Sequence, residues 1–137
     1  MSVLIDTNVI LDAITGRAPF NENAEKLFLL TAEDKINASI TANSVTDIYY
    51  LIRKYLHSID EAKIVLWKLF ALFQILDVTG TDCKKALELN MSDYEDALIA
   101  TCANRNKVDW IISRNTKDFI NSPVPAITPE DFLTKFF

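Results

Sequence analysis

The chain has 137 residues, of which 50% are apolar and 24% charged, and it contains only two glycines and four prolines. This composition fits one globular domain with a hydrophobic core and excludes a collagen-like or disordered chain. It also disfavours a β-sandwich with many tight turns, because turns with positive φ usually need glycine. The formal net charge of −5 argues against a protein that coats nucleic acid through its phosphates, but it is compatible with an enzyme whose negative charge lies at a metal site.

Short apolar segments alternate with amphipathic segments along the chain. The predicted strands cover residues 3–5, 38–40, 75–78 and 110–112, with a short fifth at 126–127. The predicted helices cover residues 8–14, 21–32, 41–56, a segment from 58, 81–89, 92–106 and a segment from 128. This alternation predicts an α/β fold, a three-layer α/β/α sandwich around a mainly parallel sheet of four or five strands. We treat residues 1–137 as a single domain.

The chain is expected to act in the cytoplasm, away from membranes. Its N-terminus has no basic region of the kind that opens a signal peptide. Its most apolar run, residues 64–76, is interrupted by Lys68 and Gln74 and is shorter than the ~20 residues that a membrane span requires.

Five aspartates are expected at one edge of the sheet: Asp6, Asp47, Asp93, Asp96 and Asp118. The first follows a predicted strand directly, the last lies in the segment after the fourth strand, and the others lie in the first turns of helices. Each has an ordinary structural explanation as a helix cap, a first-turn acid favoured by the helix dipole, or a loop residue. Ser44 and Ser92, for example, are each followed three residues later by an acid, as in a capping box.

Position favours a joint role for these carboxylates. Ligands of parallel sheets bind at the carboxyl ends of the strands, near a switch in strand order, and helices that follow the strands begin at the same edge. Carboxylates gathered there would repel one another unless a cation lay between them. Mg²⁺ or Mn²⁺, which prefer oxygen ligands, are the cofactors that such a cluster predicts.

Four segments together resemble a known family. They are Val-Leu-Ile-Asp-Thr-Asn at residues 3–8, the acidic position Asp47 in a long helix, Asp-Tyr-Glu-Asp-Ala-Leu-Ile-Ala at 93–100, and Trp-Ile-Ile-Ser-Arg-Asn-Thr-Lys-Asp-Phe at 110–119. In order and spacing the chain resembles PIN-domain ribonucleases, including the VapC-like toxins of toxin–antitoxin systems. The resemblance implies a metal-dependent endoribonuclease that hydrolyses RNA phosphodiester bonds, and an antitoxin protein as a possible partner.

The resemblance also implies roles for individual residues. The expected catalytic residues are Asp6, Asp47, Asp96 and Asp118, and the expected metal ligands are Asp6, Asp93 and Asp96. Thr7, Asn8 and Asn115 are expected to support them. Two positions depart from the family pattern: Asp47 stands where glutamate is usual, and Asn115 stands where an aspartate often follows Thr or Ser by two residues, so either Asn115 or Asp118 could complete the site.

Contact with RNA needs local positive charge. Arg114 and Lys117 flank the last motif and are the candidate RNA contacts, while Arg17, Arg53 and Lys54 could line a path to it. All five are otherwise ordinary solvated cations. His57, the only histidine, is expected at the surface rather than at the site.

The helices predicted between residues 41 and 73 carry more apolar side chains than one buried face needs: Tyr49, Tyr50, Leu51, Tyr55, Leu56, Trp67, Phe70, Leu72 and Phe73. An aromatic surface of this kind is typical of an interface core. It predicts a homodimer, which the family resemblance also implies.

Two other functions fit part of the pattern. A haloacid-dehalogenase-like phosphatase also begins with a strand followed by Asp, but it usually has a second Asp two residues later, where this chain has Asn8. A PIN fold that serves as a non-catalytic interaction module is compatible with the departures at Asp47 and Asn115.

Overall fold

The computed structural model describes all residues, 1–137, and contains five strands and seven helices. The strands are β1 (Ser2–Ile5), β2 (Asn37–Thr41), β3 (Gln74–Leu76), β4 (Trp110–Ile112) and β5 (Ala126–Ile127). The helices are α1 (Thr7–Thr15), α2 (Asn21–Ala32), α3 (Val45–Leu56), α4 (Ile59–Leu72), α5 (Gly80–Ala86), α6 (Tyr94–Arg105) and α7 (Pro129–Phe136). Short 3₁₀ turns cover Ala42–Ser44 and Thr116–Phe119.

The five strands form one parallel sheet in the order β3-β2-β1-β4-β5. The chain moves outward from β1 to β3 and then returns to the other side of β1 to form β4. The strand order therefore reverses between β1 and β4, which is where ligands of open parallel sheets bind. At this point the backbone N–H of Asp6 donates to the carbonyl of Ile112 at 3.0 Å, so the ends of the two strands lie side by side.

Helices cover both faces of the sheet. Val3 and Ile5 of β1 belong to the larger hydrophobic cluster, with residues of α1, α2, α3, α4 and α7. Leu4, between them, faces a second cluster that includes Ile99 and Ala100 of α6. Because neighbouring side chains of a strand point to opposite faces, this division confirms the predicted three-layer α/β/α sandwich.

Some predicted element bounds were wrong. The helix predicted from residue 41 begins at Val45, because Thr41 extends the buried strand β2 and residues 42–44 form a 3₁₀ turn. The strand predicted at 75–78 is β3, and the helix predicted at 81–89 is α5, each with different ends. None of the helices combines the length and the apolar character needed to cross a membrane.

The apolar side chains of α3 and α4 divide into two groups. The buried or core-packed ones are Tyr49, Leu56, Leu72 and Phe73. The exposed ones are Tyr50, Leu51, Tyr55 and Trp67, while Phe70 is half-buried. The core thus explains about half of the predicted excess, and Trp67 has the largest exposed fraction of these side chains, 72%.

Candidate active site

One pocket of about 530 Å³ opens at the strand-order switch. Its lining includes six carboxylates, Asp6, Asp47, Asp93, Glu95, Asp96 and Asp118, together with Thr7, Asn8 and Asn115. No Lys, Arg or His lines it. The structure therefore brings together every predicted catalytic, metal-ligating and supporting residue.

Asp6 is held in a fixed orientation at the floor of this pocket. One carboxylate oxygen accepts the backbone N–H of Thr7 at 2.9 Å, so Asp6 caps α1. The other accepts the hydroxyl of Ser113, which follows β4, at 2.8 Å. Capping and a site role are thus compatible in one side chain. Burial raises the pKa of Asp6, and these hydrogen bonds partly oppose that effect.

Asp93 and Asp96 lie at the beginning of α6. The carboxylate of Asp93 accepts the backbone N–H of Asp96 at 3.0 Å, which makes Asp93 the cap of the helix. The capping box predicted from Ser92 is therefore wrong, because the helix begins one residue later. Asp96 projects from the first turn of α6 and is half-buried.

Asp47 is not part of a capping box either. The hydroxyl of Ser44 lies 2.8 Å from that of Thr41 and makes no cap hydrogen bond to α3. Asp47 in the first turn of α3 instead faces Glu95 of α6 across the pocket. Because Asp47 is close and like-charged, it adds to partial burial in raising the pKa of Glu95.

The segment after β4 completes the wall of the pocket. The backbone N–H of Asn115 donates to the hydroxyl of Ser113 at 3.1 Å, and that of Asp118 donates to the carbonyl of Asn115 at 3.0 Å. Both Asn115 and Asp118 line the pocket, so either side chain is placed to complete the site.

Arg114 lies in this segment but points to a different part of the molecule. Its Nε is 2.8 Å from a carboxylate oxygen of Asp12, which is buried in α1, and its guanidinium lies 4.2 Å from the centre of the Phe20 ring. It does not line the acidic pocket, although its charge partly opposes the burial that raises the pKa of nearby Asp6. Lys117 is exposed and lines a neighbouring depression next to Asp118.

The pocket is electrostatically unbalanced. Burial raises the pKa of Asp96 to about 7, and the carboxylates of Asp93, Asp6 and Asp118 add to that effect. The Thr7 hydroxyl is buried without a hydrogen-bond partner. No group of three or more His, Cys, Asp and Glu side chains stands in an arrangement ready to hold a metal ion. The set of oxygen donors and the uncompensated negative charge nevertheless fit a hard divalent cation.

Three residues that shape the site or its surroundings were not predicted from the sequence: Glu95, Ser113 and Asp12. Glu95 was interpreted as part of a capping box, although it lies next to Asp96 in the same helical turn. Ser113 follows β4 just as Asp6 follows β1, so its position at the same edge could have identified it. Asp12 is an acid among the apolar residues of α1, and a buried acid requires a partner, here Arg114.

Comparisons with known proteins agree with this architecture. A chain of a toxin–antitoxin complex from Klebsiella pneumoniae is 23% identical, with a TM-score of 0.67 over 93% of this chain and 98% of that one. A chain of the DNA-bound VapBC complex from Salmonella typhimurium is 16% identical, with a TM-score of 0.70 over 94% and 98% of the two chains. Mycobacterium tuberculosis VapC20, described as a toxin that cleaves the sarcin–ricin loop, is 11% identical, with a TM-score of 0.62 over 80% and 87%.

No curated protein sequence matches the chain. The sequence model of the PIN domain matches residues 2–117, which is most of its length. This protein belongs to the PIN domain family.

Proposed function

We propose that this PIN domain is an endoribonuclease that depends on Mg²⁺ or Mn²⁺ and serves as the toxin of a toxin–antitoxin pair. The observation that carries the proposal is the set of six carboxylates that line one pocket at the strand-order switch, with no cationic side chain among them. A non-catalytic module has no need of such a set, because clustered carboxylates repel one another and destabilise the fold. Membership of the PIN family removes support for the phosphatase alternative.

Asp6, Asp93 and Asp96 would hold the cation. Asp6 is best prepared for this role, because Thr7 and Ser113 fix both of its oxygens. Asp96 would have to be ionised to serve as a ligand, since a carboxylate binds a metal ion in its deprotonated form. When bound, the cation supplies a water of lowered pKa and offsets negative charge on the phosphate.

The remaining polar residues of the pocket have positioning and proton-transfer roles in this proposal. Glu95 faces Asp47, and partial burial together with the charge of Asp47 raises the pKa of Glu95, so Glu95 can accept a proton released in the pocket. Asn8, Asn115 and the unpaired hydroxyl of Thr7 can orient water or phosphate oxygens. Asp118 adds a further carboxylate at the rim.

Arg114 and Lys117 contribute positive charge near the RNA in different ways. Lys117 is free to contact a phosphate from its place beside Asp118. Arg114 is engaged by Asp12, so we assign it a general electrostatic effect rather than a direct contact.

The antitoxin and a second copy of the chain are the proposed protein partners. The similar structures from Klebsiella pneumoniae and Salmonella typhimurium are complexes of a toxin with its antitoxin, which supports an antitoxin partner here. For the homodimer, Trp67 and Ile64 on α4 offer exposed apolar surface, at 72% and 54% of their accessible areas. Binding of the chain to the product of a neighbouring gene for a small DNA-binding protein would test the first partnership.

Cleavage of a mixed RNA pool tests the enzymatic proposal. Wild-type protein should cleave RNA with Mg²⁺ or Mn²⁺ and not with EDTA, and Asp96→Asn should abolish cleavage. Asp131→Asn is the matched control, because Asp131 is also an acid in the first turn of a helix but lies on α7, outside the pocket. Full activity of a pure Asp96→Asn preparation, or equal loss in both variants, would contradict the proposal.

A further inference from the structure

Helix α3 carries a continuous face that leads away from the acidic pocket. Asp47, Leu51 and Lys54 are spaced by four and three residues and therefore lie on one side of the helix, with Tyr50 beside them. Asp47, Tyr50 and Leu51 line the acidic pocket, whereas Lys54 lies about 10 Å beyond Asp47 along the helix axis. One helix face thus changes from acidic to basic within two turns.

Two depressions flank the basic end of this face. One, of about 800 Å³, is lined by Tyr50, Arg53, Lys54 and His57 among others. The other, of about 640 Å³, is lined by Leu51, Lys54, His57 and Arg17 among others. Tyr50 lines both the first depression and the acidic pocket, and Leu51 lines both the second depression and the acidic pocket, so each depression borders the pocket. We call Arg17, Arg53, Lys54 and His57 the α3 basic surface.

The cations of this surface are available to a ligand. Arg53 and Lys54 are exposed, and neither belongs to any of the four ion pairs of the protein. Arg17 is 3.7 Å from Asp12, but its side chain is half-exposed. Asp60 is the only acid among the residues that line either depression. Arg53 and Lys54 therefore remain available to an anionic ligand.

Basic residues in the last turn of a helix also stabilise its dipole, and that effect alone could account for Arg53 and Lys54. The aromatic side chain beside them needs another explanation. Tyr50 is 60% exposed, and its ring makes a T-shaped contact with the ring of Tyr49 at a centroid distance of 5.2 Å. Unpaired cations next to an exposed aromatic ring form the combination that binds single-stranded nucleic acid.

We propose that the α3 basic surface binds the phosphates of single-stranded RNA next to the scissile bond, with one base stacked on Tyr50. This inference rests on the proposed function and adds where the substrate strand lies. The acidic pocket repels phosphates without a cation, so a separate basic surface supplies the binding that a chain of net charge −5 lacks.

Binding of a short, labelled oligouridine, measured by fluorescence anisotropy in EDTA, tests the inference without cleavage. The double variant Arg53→Glu/Lys54→Glu should weaken binding about tenfold and reduce the slope of log K against log salt concentration by about 0.7 per lost phosphate contact. The control Lys84→Glu/Lys85→Glu makes the same charge change in the last turn of α5, outside these depressions. Equal effects of the two double variants would overturn the inference.

Tyr50 provides an independent test of stacking. Tyr50→Ala should weaken oligouridine binding about fivefold or more, whereas Tyr50→Phe keeps the ring and should bind as wild type does. Wild-type affinity of both the Tyr50→Ala and Arg53→Glu/Lys54→Glu variants would overturn the proposed RNA surface.

Failure of the inference is distinguishable from failure of the proposed function. If wild-type protein binds oligouridine through this surface but cleaves no RNA with Mn²⁺, the surface stands and the enzymatic proposal fails. If cleavage is normal and Arg53→Glu/Lys54→Glu leaves KM unchanged, the surface is not used. A change of oligomeric state in that variant, seen by light scattering, would assign the surface to a protein partner and overturn the inference. Loss of antitoxin binding with unchanged RNA affinity would do the same.

Discussion

Removing the charge of Asp96 should stabilise the cation-free protein at neutral and basic pH. The pKa of Asp96 is about 7 in the folded chain against 3.8 for the ordinary carboxyl group. A raised folded-state pKa contributes stability that is fully present below pH 3.8 and is lost as pH rises through 7. Asp6 has a pKa shifted in the same direction and adds to this loss.

The size of the effect follows from the shift. A difference of roughly three pKa units corresponds to about 4 kcal/mol as an upper limit. Because Asp96 is partly exposed in an open pocket, solvent screening reduces this to the order of 1 to 2 kcal/mol. For a chain of this size such a change corresponds to several degrees in Tm.

Unfolding followed by circular dichroism in EDTA measures this directly. Wild-type protein should be more stable at about pH 5.5 than at about pH 8, while Asp96→Asn should show a weaker pH dependence and exceed wild type at the higher pH. Asp131→Asn should follow wild type. A lower stability of Asp96→Asn than of wild type at about pH 8 would refute the electrostatic reasoning.

Three further predictions concern other parts of the molecule. Arg105 donates to buried Asp82 at 2.9 and 3.0 Å and lowers the pKa of Asp82 to about 2. Asp82→Asn should therefore lower the free energy of unfolding by about 2 kcal/mol at neutral pH, measured by urea unfolding. In wild-type protein this contribution should disappear as pH falls from about 4 to 2. Trp67→Lys should convert a dimer into a monomer in light scattering, and a wild-type mass of 15.5 kDa that does not change on concentration would contradict the dimer. Asp47→Glu keeps a carboxylate opposite Glu95 and should retain or raise RNA cleavage, so its complete loss would show that Asp47 has another role.

The sheet and its edge could be predicted because few alternatives satisfy the same pattern. Short apolar runs such as residues 3–5 and 110–112 are typical of strands buried on both faces, and the helices between them favour parallel pairing. Once the strands are parallel, Asp6 must lie at the carboxyl edge. The helix N-termini that carry Asp47 and Asp96 follow from the same geometry.

The predictions that failed depend on local hydrogen bonds and side-chain pairing, which the periodicity of apolar residues does not show. The sequence pattern allows Thr41 either to extend a strand or to begin a helix. In the structure Thr41 is the last residue of β2 and pairs with Leu76 of β3. Ser92 and Asp93 are both good helix caps, and α6 begins so that Asp93 is its cap. The pairing of Arg114 with Asp12 joins residues far apart in sequence, and only the packed structure shows that this cation is already engaged.

Direct binding of Mn²⁺, measured by isothermal titration calorimetry on the pure protein, tests most directly whether the acidic pocket is a cation site. Wild-type protein and Asp131→Asn should bind Mn²⁺ with the same affinity, and Asp6→Asn and Asp96→Asn should each lose most of that binding. Absence of Mn²⁺ binding by wild-type protein, or wild-type affinity in both pocket variants, would contradict the account.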